Sequence, residues 1–231
     1  MIERIADIST YQGDIDWGLA RNELDFAIFR ASVGLKNDAR YLNNTSMCAI
    51  PYAAYHYVKA GTVEEAIAEA DFFVEYANKA WQKPKIYFAD IEYEAQTKEN
   101  TEDICRAFLT RLRELGCERI GLYIGTKYDW AGKAKQLADV MWIPRWGKND
   151  GNVPSDEYLP KHPYDIWQYT SVGRVEGISG NVDLDILRDG LKIADLLPPE
   201  PEEEKQEING LPDVIKLILK MIAKFFNFNN N

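Results

Sequence analysis

The stretch Lys85-Ile-Tyr-Phe-Ala-Asp-Ile-Glu-Tyr93 combines a short apolar run with two acidic residues near its end. Brief buried runs of this kind are typical of strands in a parallel sheet. Residues two apart in a strand project to the same face, so the side chains of Asp90 and Glu92 are expected to point the same way. The stretch therefore predicts a buried strand that carries a pair of carboxylates at its C-terminal end.

Seven further runs of the same kind occur along the chain. The eight predicted strands are Arg4–Ser9, Phe26–Ser32, Pro51–Val58, Lys85–Tyr93, Arg119–Thr126, Val140–Trp146, Tyr164–Thr170 and Val182–Leu187. The first five alternate with helix patterns, whereas loops rich in Gly, Pro and Asn join the last ones. Such alternation predicts right-handed β/α units, and eight strands suit a closed α/β barrel with the last strand beside the first.

A doubly wound open sheet is the rival architecture. That fold is expected to have a glycine-rich, phosphate-binding turn after the first strand. The chain reads Ser9-Thr-Tyr-Gln-Gly-Asp14 at this point, which is not such a turn. The closed barrel is therefore the preferred prediction.

Two strong helix patterns lie between the strands. Thr62 is expected to cap a helix that runs to Ala77, with Glu65 completing a capping box. A second helix is predicted over Glu99–Leu115, with Gly116 as its C-cap. A weaker helix is expected over about Asp38–Cys48.

Composition excludes several classes of protein. The net charge of −10 argues against a nucleic-acid partner, because phosphate binding needs clustered Lys and Arg. The three cysteines, Cys48, Cys105 and Cys117, are too few and too widely spaced for a disulfide framework. With two histidines, a histidine-rich metal site is excluded. We see no signal peptide and no apolar run long enough to span a membrane, so we expect synthesis in the cytoplasm.

The composition changes near Leu196, which predicts three segments. Residues 1–196 would form the barrel, residues 197–210 a Pro- and Glu-rich linker, and residues 211–231 an amphipathic helix with a disordered tail. Three lysines, Lys216, Lys220 and Lys224, share one face of this helix, and the rest is almost wholly apolar. We expect self-association or docking at a membrane surface, while folding back on the barrel remains equally open.

Acidic residues are expected to converge where the barrel closes. Asp7 ends the first strand, and Asp183 and Asp185 lie in the last one, so Asp7 should neighbour one of them. With Asp90 and Glu92 they would form a ring of carboxylates at the rim where β/α-barrels carry their active sites. Mutual repulsion and burial raise the pKa of a carboxyl group, and a carboxyl kept protonated near neutral pH can protonate a leaving oxygen.

Two other interpretations of these acids stay open. A strand-end pair bonded to nearby Arg or Tyr side chains would be structural only. A carboxylate cluster could also bind Mg²⁺ or Ca²⁺, although nothing resembles a phosphate cradle and no histidine assists.

Aromatic and amide side chains are predicted at the same strand ends. They are Tyr55, His56, Tyr57, Tyr123, Trp142, Trp146, Trp167, Gln168 and Tyr169. Singly, each ring is more often a core residue than a ligand-binding one. Together with the acids, they describe a saccharide cleft.

These motifs, in this order, resemble glycoside hydrolase family 25, the phage and bacterial muramidases. The resemblance covers about Ile5 to Leu187. Its segments are Asp7-Ile-Ser with Tyr11-Gln-Gly13, Phe26-Ala-Ile-Phe-Arg30-Ala-Ser, Asp38-x-x-Tyr41-x-x-Asn44, Ala54-Tyr-His-Tyr57, Asp90-Ile-Glu92, Tyr123, Met141-Trp-Ile, Ile166-Trp-Gln-Tyr169 and Gly177-Ile-Ser-Gly-Asn-Val-Asp183. No single segment would suffice, but the whole series makes chance agreement improbable.

The resemblance implies an irregular TIM-like barrel of five β/α units followed by three further strands. It implies a lysozyme that hydrolyses the β-1,4 bond between N-acetylmuramic acid and N-acetylglucosamine in peptidoglycan, without a cofactor. Glu92 would be the general acid/base, Asp90 would steady the N-acetyl group or the developing positive charge, and Asp7 and Asp183 would complete the acidic floor. The resemblance also implies retention of configuration, with the substrate's own acetamido oxygen as the candidate nucleophile.

The enzyme would then act on the cell wall after release, through a holin pore if it is a phage endolysin, or by another route if it is a bacterial autolysin.

One motif departs from the family. Its second strand often runs Lys-x-Ser/Thr-Glu-Gly, whereas this chain has Arg30-Ala-Ser-Val33-Gly34. Arg30 is expected to bind substrate, but the loss of an acid at Val33 leaves substrate preference open. A non-catalytic saccharide-binding barrel and a metal-dependent hydrolase are the alternative functions.

Overall fold

The computed structural model of the protein describes residues 3–92, 100–125 and 134–199. Residues Met1–Leu197 form one compact unit. The helix and tail predicted for residues 211–231 and the linker beyond residue 199 lie outside the described residues. So do Tyr93 and Thr126, the predicted ends of two strands.

Among the described residues, eight strands form a closed barrel and a ninth is added to it in a hairpin. They are β1 Arg4–Ile8, β2 Phe26–Val33, β3 Lys36–Asn37, β4 Tyr52–Tyr57, β5 Tyr87–Ile91, β6 Ile120–Ile124, β7 Val140–Pro144, β8 Ile166–Gly173 and β9 Val182–Leu187. The barrel order is β1-β9-β8-β7-β6-β5-β4-β2, and a β1–β2 pairing closes it. All eight predicted strands are confirmed. Strand β3, which pairs with β2 in a hairpin, was not predicted because two exposed residues carry no periodic pattern.

The last strand runs against its neighbours. The pairings among β1, β2 and β4 to β8 are parallel, but β9 is antiparallel to both β8 and β1. The expectation of a parallel-type strand was therefore wrong at β9. The connection over residues 174–181 is too short for the crossover that a parallel neighbour needs.

Side chains alternate between two cores along each strand. One core fills the barrel and includes Ile5, Phe26, Ile28, Phe88 and Trp142. The other lies between the barrel and its helices and includes Ile8, Phe29, Phe73, Phe108 and Leu122. Gly121 of β6 makes room for the first, because a Cβ atom there would lie 2.1 Å from Cε1 of Phe88.

The helices are α1 Trp17–Ala20, α2 Tyr41–Met47, α3 Val63–Ala77, α4 Thr101–Glu114 and α5 Ile193–Leu196. Short 3-10 turns cover Thr10–Gln12 and Asp156–Tyr158. The three predicted helices correspond to α2, α3 and α4. Between β7 and β8 the described chain contains a single 3-10 turn, as the loss of helical periodicity indicated.

The predicted start of α3 and the predicted end of α4 are largely confirmed, while Glu99, the predicted start of the second helix, lies outside the described residues. Thr62 Oγ1 accepts a hydrogen bond from Glu65 N at 3.2 Å, but Glu65 Oε2 accepts from Gly61 N at 2.7 Å, one residue before the expected partner. Gly116 adopts a φ of 81° after α4, and the Cys117 amide donates to Leu112 O at 3.1 Å. Only glycine adopts this left-handed conformation freely, which is why α4 ends there.

Candidate active site

A cleft of about 840 Å³ opens at the rim formed by the C-terminal ends of the parallel strands. All four predicted acids line it, together with Arg30, Tyr55 and Tyr57. A deeper pocket of about 150 Å³ shares Asp7, Tyr55, Asp90, Glu92 and Asp183 with the cleft and adds Tyr123, Trp142, Trp146 and Gln168. The structure therefore brings all eleven predicted site residues together.

The carboxylates of Asp90 and Glu92 stand at the end of β5. Asp90 lies in the strand and is buried, while Glu92 follows Ile91, the last strand residue, and is half-buried. Burial and then the charge of Glu92 raise the pKa of Asp90 well above its usual range, and the charge of Arg30 opposes this rise. Asp90 Oδ1 has no hydrogen-bond partner among the described residues. The raised pKa expected for one member of the pair is thus found at Asp90.

Asp7 and Asp183 face each other across the β1–β9 pairing, where they are direct partners in register. Burial, followed by the charges of Asp183 and Asp185, raises the pKa of Asp7 well above its usual range. Burial and the charge of Glu92 raise the pKa of Asp183 to about 6, against the lowering effect of its hydrogen bond with Asp7. The hydrogen bond with Asp7 thus favours the charged form of Asp183, while burial opposes it.

A fifth acid, Asp185, lies beneath this pair. Its Oδ1 accepts a hydrogen bond from Trp142 Nε1 at 2.6 Å, and its Oδ2 has no partner within the described ranges. Burial raises the pKa of Asp185 well above its usual range. The sequence indicated an acid beside Asp7 on the last strand but did not distinguish Asp183, at the rim, from Asp185, which is inside the barrel.

Trp142 belongs to the floor of the deeper pocket. The residue is 2% exposed, and its ring packs edge-on against Tyr55, Phe88 and Tyr123. Trp146, by contrast, is 40% exposed. Of the two predicted tryptophans, Trp146 is the one with a face available to a ligand.

Gln168 of β8 connects the acids to the aromatic wall. Its Oε1 accepts from Tyr123 Oη at 3.1 Å and from Trp146 Nε1 at 2.9 Å. Because an indole N–H can only donate, the amide oxygen must face Trp146 and the amide nitrogen must face Asp7. Nε2 accordingly donates to Asp7 Oδ2 at 2.9 Å.

Arg30 is held at the opposite side of the cleft. Its Nε donates to Asp38 Oδ2 at 2.9 Å, and its guanidinium carbon lies 5.0 Å from the centroid of the Tyr11 ring. Asp38 Oδ2 also accepts from Thr10 N at 3.0 Å, which ties three chain segments together. Val33, where the family resemblance leads one to expect an acid, lines the same cleft.

Sequence reasoning missed several residues of the cleft and misplaced others. Ser9, Tyr11, Gln12, Ser171, Gly180 and Asn181 line the cleft without having been predicted there. His56, Trp167 and Tyr169 point away from it, as strict alternation along β4 and β8 would have shown. The ring nitrogens of His56 instead bond Ser32 Oγ at 2.8 Å and Glu69 Oε2 at 2.9 Å.

The described ranges 3–92, 100–125 and 134–199 contain no group of three or more His, Cys, Asp or Glu residues arranged to hold a metal ion. Within the same ranges, no helix has the length and apolar character that crossing a membrane requires.

A closed β/α-barrel with carboxylates and aromatic rings in a cleft at the C-terminal rim of its strands has the architecture of a glycoside hydrolase. The sequence model of glycosyl hydrolases family 25 matches residues 6–178. The chain belongs to this family, and the resemblance drawn from its motifs is confirmed.

Individual relatives agree with this assignment. Lysozyme M1 of Streptomyces globisporus is 25% identical over 198 residues, which cover 77% of this chain and 65% of that protein. The catalytic domain of an endolysin from a Listeria monocytogenes bacteriophage is 28% identical, with a TM-score of 0.72 over 82% of this chain and 94% of that chain. GHIP, a glycosyl hydrolase 25 of Streptococcus pneumoniae, shows the same fold at 23% identity, with a TM-score of 0.72 over 84% of this chain and 92% of that chain.

Proposed function

We propose that the protein is a muramidase that hydrolyses the β-1,4 bond between N-acetylmuramic acid and N-acetylglucosamine in bacterial peptidoglycan. The observation that carries this proposal is the convergence of Asp7, Asp90, Glu92 and Asp183 on one open cleft. Membership of glycosyl hydrolases family 25 and similarity to a lysozyme and a phage endolysin support it.

In this proposal Glu92 is the general acid/base. It borders both the larger cleft and the deeper pocket, so a sugar bridging the two would place its glycosidic oxygen near this carboxyl group. Asp90, on the same face of β5, would position the acetamido group or stabilise the developing positive charge. Asp7 and Asp183, whose pKa values are both raised by burial, would form the acidic floor.

The remaining predicted residues would hold the sugar chain. Trp146 and Tyr123, joined through Gln168, form one side, while Tyr55, Tyr57 and Arg30 contribute to the other. Flat rings suit the apolar faces of pyranoses. The acids make the cleft repulsive to phosphate groups, which is consistent with a saccharide rather than a nucleic acid as partner.

Mass analysis of digested peptidoglycan tests the proposed bond. We expect soluble fragments whose new reducing ends are N-acetylmuramic acid. Reducing ends of N-acetylglucosamine, or new peptide termini without new reducing sugars, would refute the assignment.

The same digestion is expected to proceed at an unchanged rate with a strong chelator, and loss of activity there would favour a metal-dependent hydrolase instead.

The segments outside the barrel receive a separate proposal. We propose that residues 197–210 act as a linker that presents residues 211–226 for self-association or for docking at a membrane surface, because their apolar face needs a cover. A wall target also implies release from the cytoplasm, through a holin pore in the case of a phage lysin.

Sedimentation of the full chain against a chain ending at Leu197 tests the role of this segment. Self-association predicts a larger mass for the full chain and a monomer for the shortened one. Equal monomeric masses, together with no flotation of the full chain on vesicles that contain anionic lipid, would remove both forms of the proposal.

A further inference from the structure

We propose that Asn149 is a positioning residue that fixes the Trp146 side of the saccharide cleft, an inference that rests on the proposed function of that cleft. Asn149 lies in the loop after β7 and has a φ of 52°. Within the described ranges it is the one residue other than glycine with a positive φ. Asparagine tolerates this conformation better than most side chains, and such a residue in an ordered loop calls for a physical reason.

The side chain of Asn149 supplies that reason, because its amide is bonded at both ends to β8. Oδ1 accepts from Ser171 N at 2.8 Å and from Thr170 Oγ1 at 2.9 Å. Nδ2 donates to Ser171 Oγ at 2.9 Å. The pairing of β8 with β9 is irregular between Thr170 and Gly173, so the asparagine amide supplies a partner where the ladder is interrupted.

The backbone of Asn149 connects this anchor to the tryptophan. Asn149 N donates to Trp146 O at 2.8 Å, which closes a tight turn between the two residues. The indole of Trp146 is held from the other side, where Nε1 donates to Gln168 Oε1 at 2.9 Å. Trp146 is thus held at its backbone carbonyl by Asn149 and at its indole nitrogen by Gln168.

Asn149 also joins two walls of the site without lining either pocket. Trp146 lines the deeper pocket and Ser171 lines the larger cleft, and the asparagine bonds both. If this wall is already ordered before the sugar chain binds, little conformational entropy is lost there on binding, and the affinity is higher. The hydrogen bonds that the structure shows for Asn149 go to Trp146, Thr170 and Ser171, so we assign its contribution to substrate binding rather than to proton transfer.

Two variants separate the effect of the Asn149 side-chain amide from the effect of its backbone conformation. Asn149→Gly keeps the positive φ and removes the amide, whereas Asn149→Asp keeps the acceptor for Ser171 N and Thr170 Oγ1 and loses the donor. Asn152→Gly is the matched control, since Asn152 lies in the same loop and its side chain bonds Asp150.

With soluble peptidoglycan fragments as substrate, Asn149→Gly is expected to raise KM about tenfold and to leave kcat within about twofold of the parent value. Asn149→Asp should restore most of the affinity, and Asn152→Gly should match the parent. A lower melting temperature with unchanged KM would make Asn149 merely structural and overturn the inference.

A double-mutant cycle with Trp146 provides the decisive readout. Once Trp146→Ala has removed the ring, Asn149→Gly should raise KM much less than it does in the parent, because residues that act through one another are not additive. Effects that multiply independently would overturn the inference.

A second readout does not depend on hydrolysis. If the parent protein cleaves no peptidoglycan, the proposed function fails, but quenching of Trp146 fluorescence by acrylamide still tests the positioning. The quenching should rise in Asn149→Gly, and this rise should vanish in a Trp146→Phe background. Unchanged quenching would refute the role of Asn149.

Discussion

Replacing Glu92 by glutamine is expected to lower the rate of peptidoglycan hydrolysis about a thousandfold, because a positioned general acid contributes roughly this much. Glutamine has nearly the same shape as glutamate, but its side-chain amide cannot donate a proton as a carboxylic acid does. The residue lies just beyond the end of β5 and is half-buried, so the barrel should fold as before. The loss should therefore fall on kcat, with KM little changed.

Turbidity of wall suspensions measures this loss, and thermal unfolding confirms that the variant is folded. Glu64→Gln is a suitable control, since Glu64 is exposed in the first turn of α3, away from the cleft. A Glu92→Gln variant that clears walls as fast as the parent would show that the proposed mechanism is wrong.

The same variant separates an enzyme from a non-catalytic saccharide-binding barrel. An inactive Glu92→Gln protein that still binds peptidoglycan fragments is the expected result for an enzyme. A parent protein that binds these fragments but releases no reducing ends would favour the binding barrel.

Replacing Asp183 by asparagine is expected to stabilise the fold at pH 8 while it reduces activity. The folded-state pKa of Asp183 is raised to about 6 by burial and by the charge of Glu92, whereas an unfolded aspartate titrates near 3.9. Because the pKa of Asp183 is raised on folding, its contribution to the free energy of unfolding is fully present below about pH 4 and is lost as the pH rises through about 6. Asparagine avoids that loss, because it does not ionise.

We expect Asp183→Asn to gain about 2 kcal/mol of unfolding free energy at pH 8, after allowance for the solvent that reaches this half-buried side chain. At pH 4 the variant and the parent should be nearly equal. Urea unfolding at the two pH values measures the difference, and Asp189→Asn, at an exposed turn, serves as control. A variant that is less stable than the parent at pH 8 would contradict the account of the acid cluster.

Much of the barrel could be predicted because its strands are short buried runs separated by clear helical or loop patterns. The run that contains Asp90 shows both the strand and the direction of its carboxylates, and closure of the barrel follows from the number of strands. The same reasoning placed Asp7 beside an acid of the last strand, which the register of Asp7 with Asp183 confirms.

Other features depend on contacts that leave no periodic signal. The direction of β9 follows from the length of one loop, and the two-residue strand β3 exists through its pairing with β2. Asn149 looks like any loop asparagine in the sequence, and its role follows from a β8 irregularity that no local pattern shows. The role of Asp38 as the partner of Arg30 likewise requires the fold.

The pairing of the first strand with the last has a consequence for synthesis of the protein on the ribosome. Gln168 donates to Asp7 across 161 residues of sequence, and Asp183 comes later still. A nascent chain that ends before β9 has β1 without its final neighbour and an incomplete set of acids. Translation must therefore pass β9 before the acid set of the cleft is complete, so we expect fragments that terminate before β9 to lack the proposed hydrolase activity.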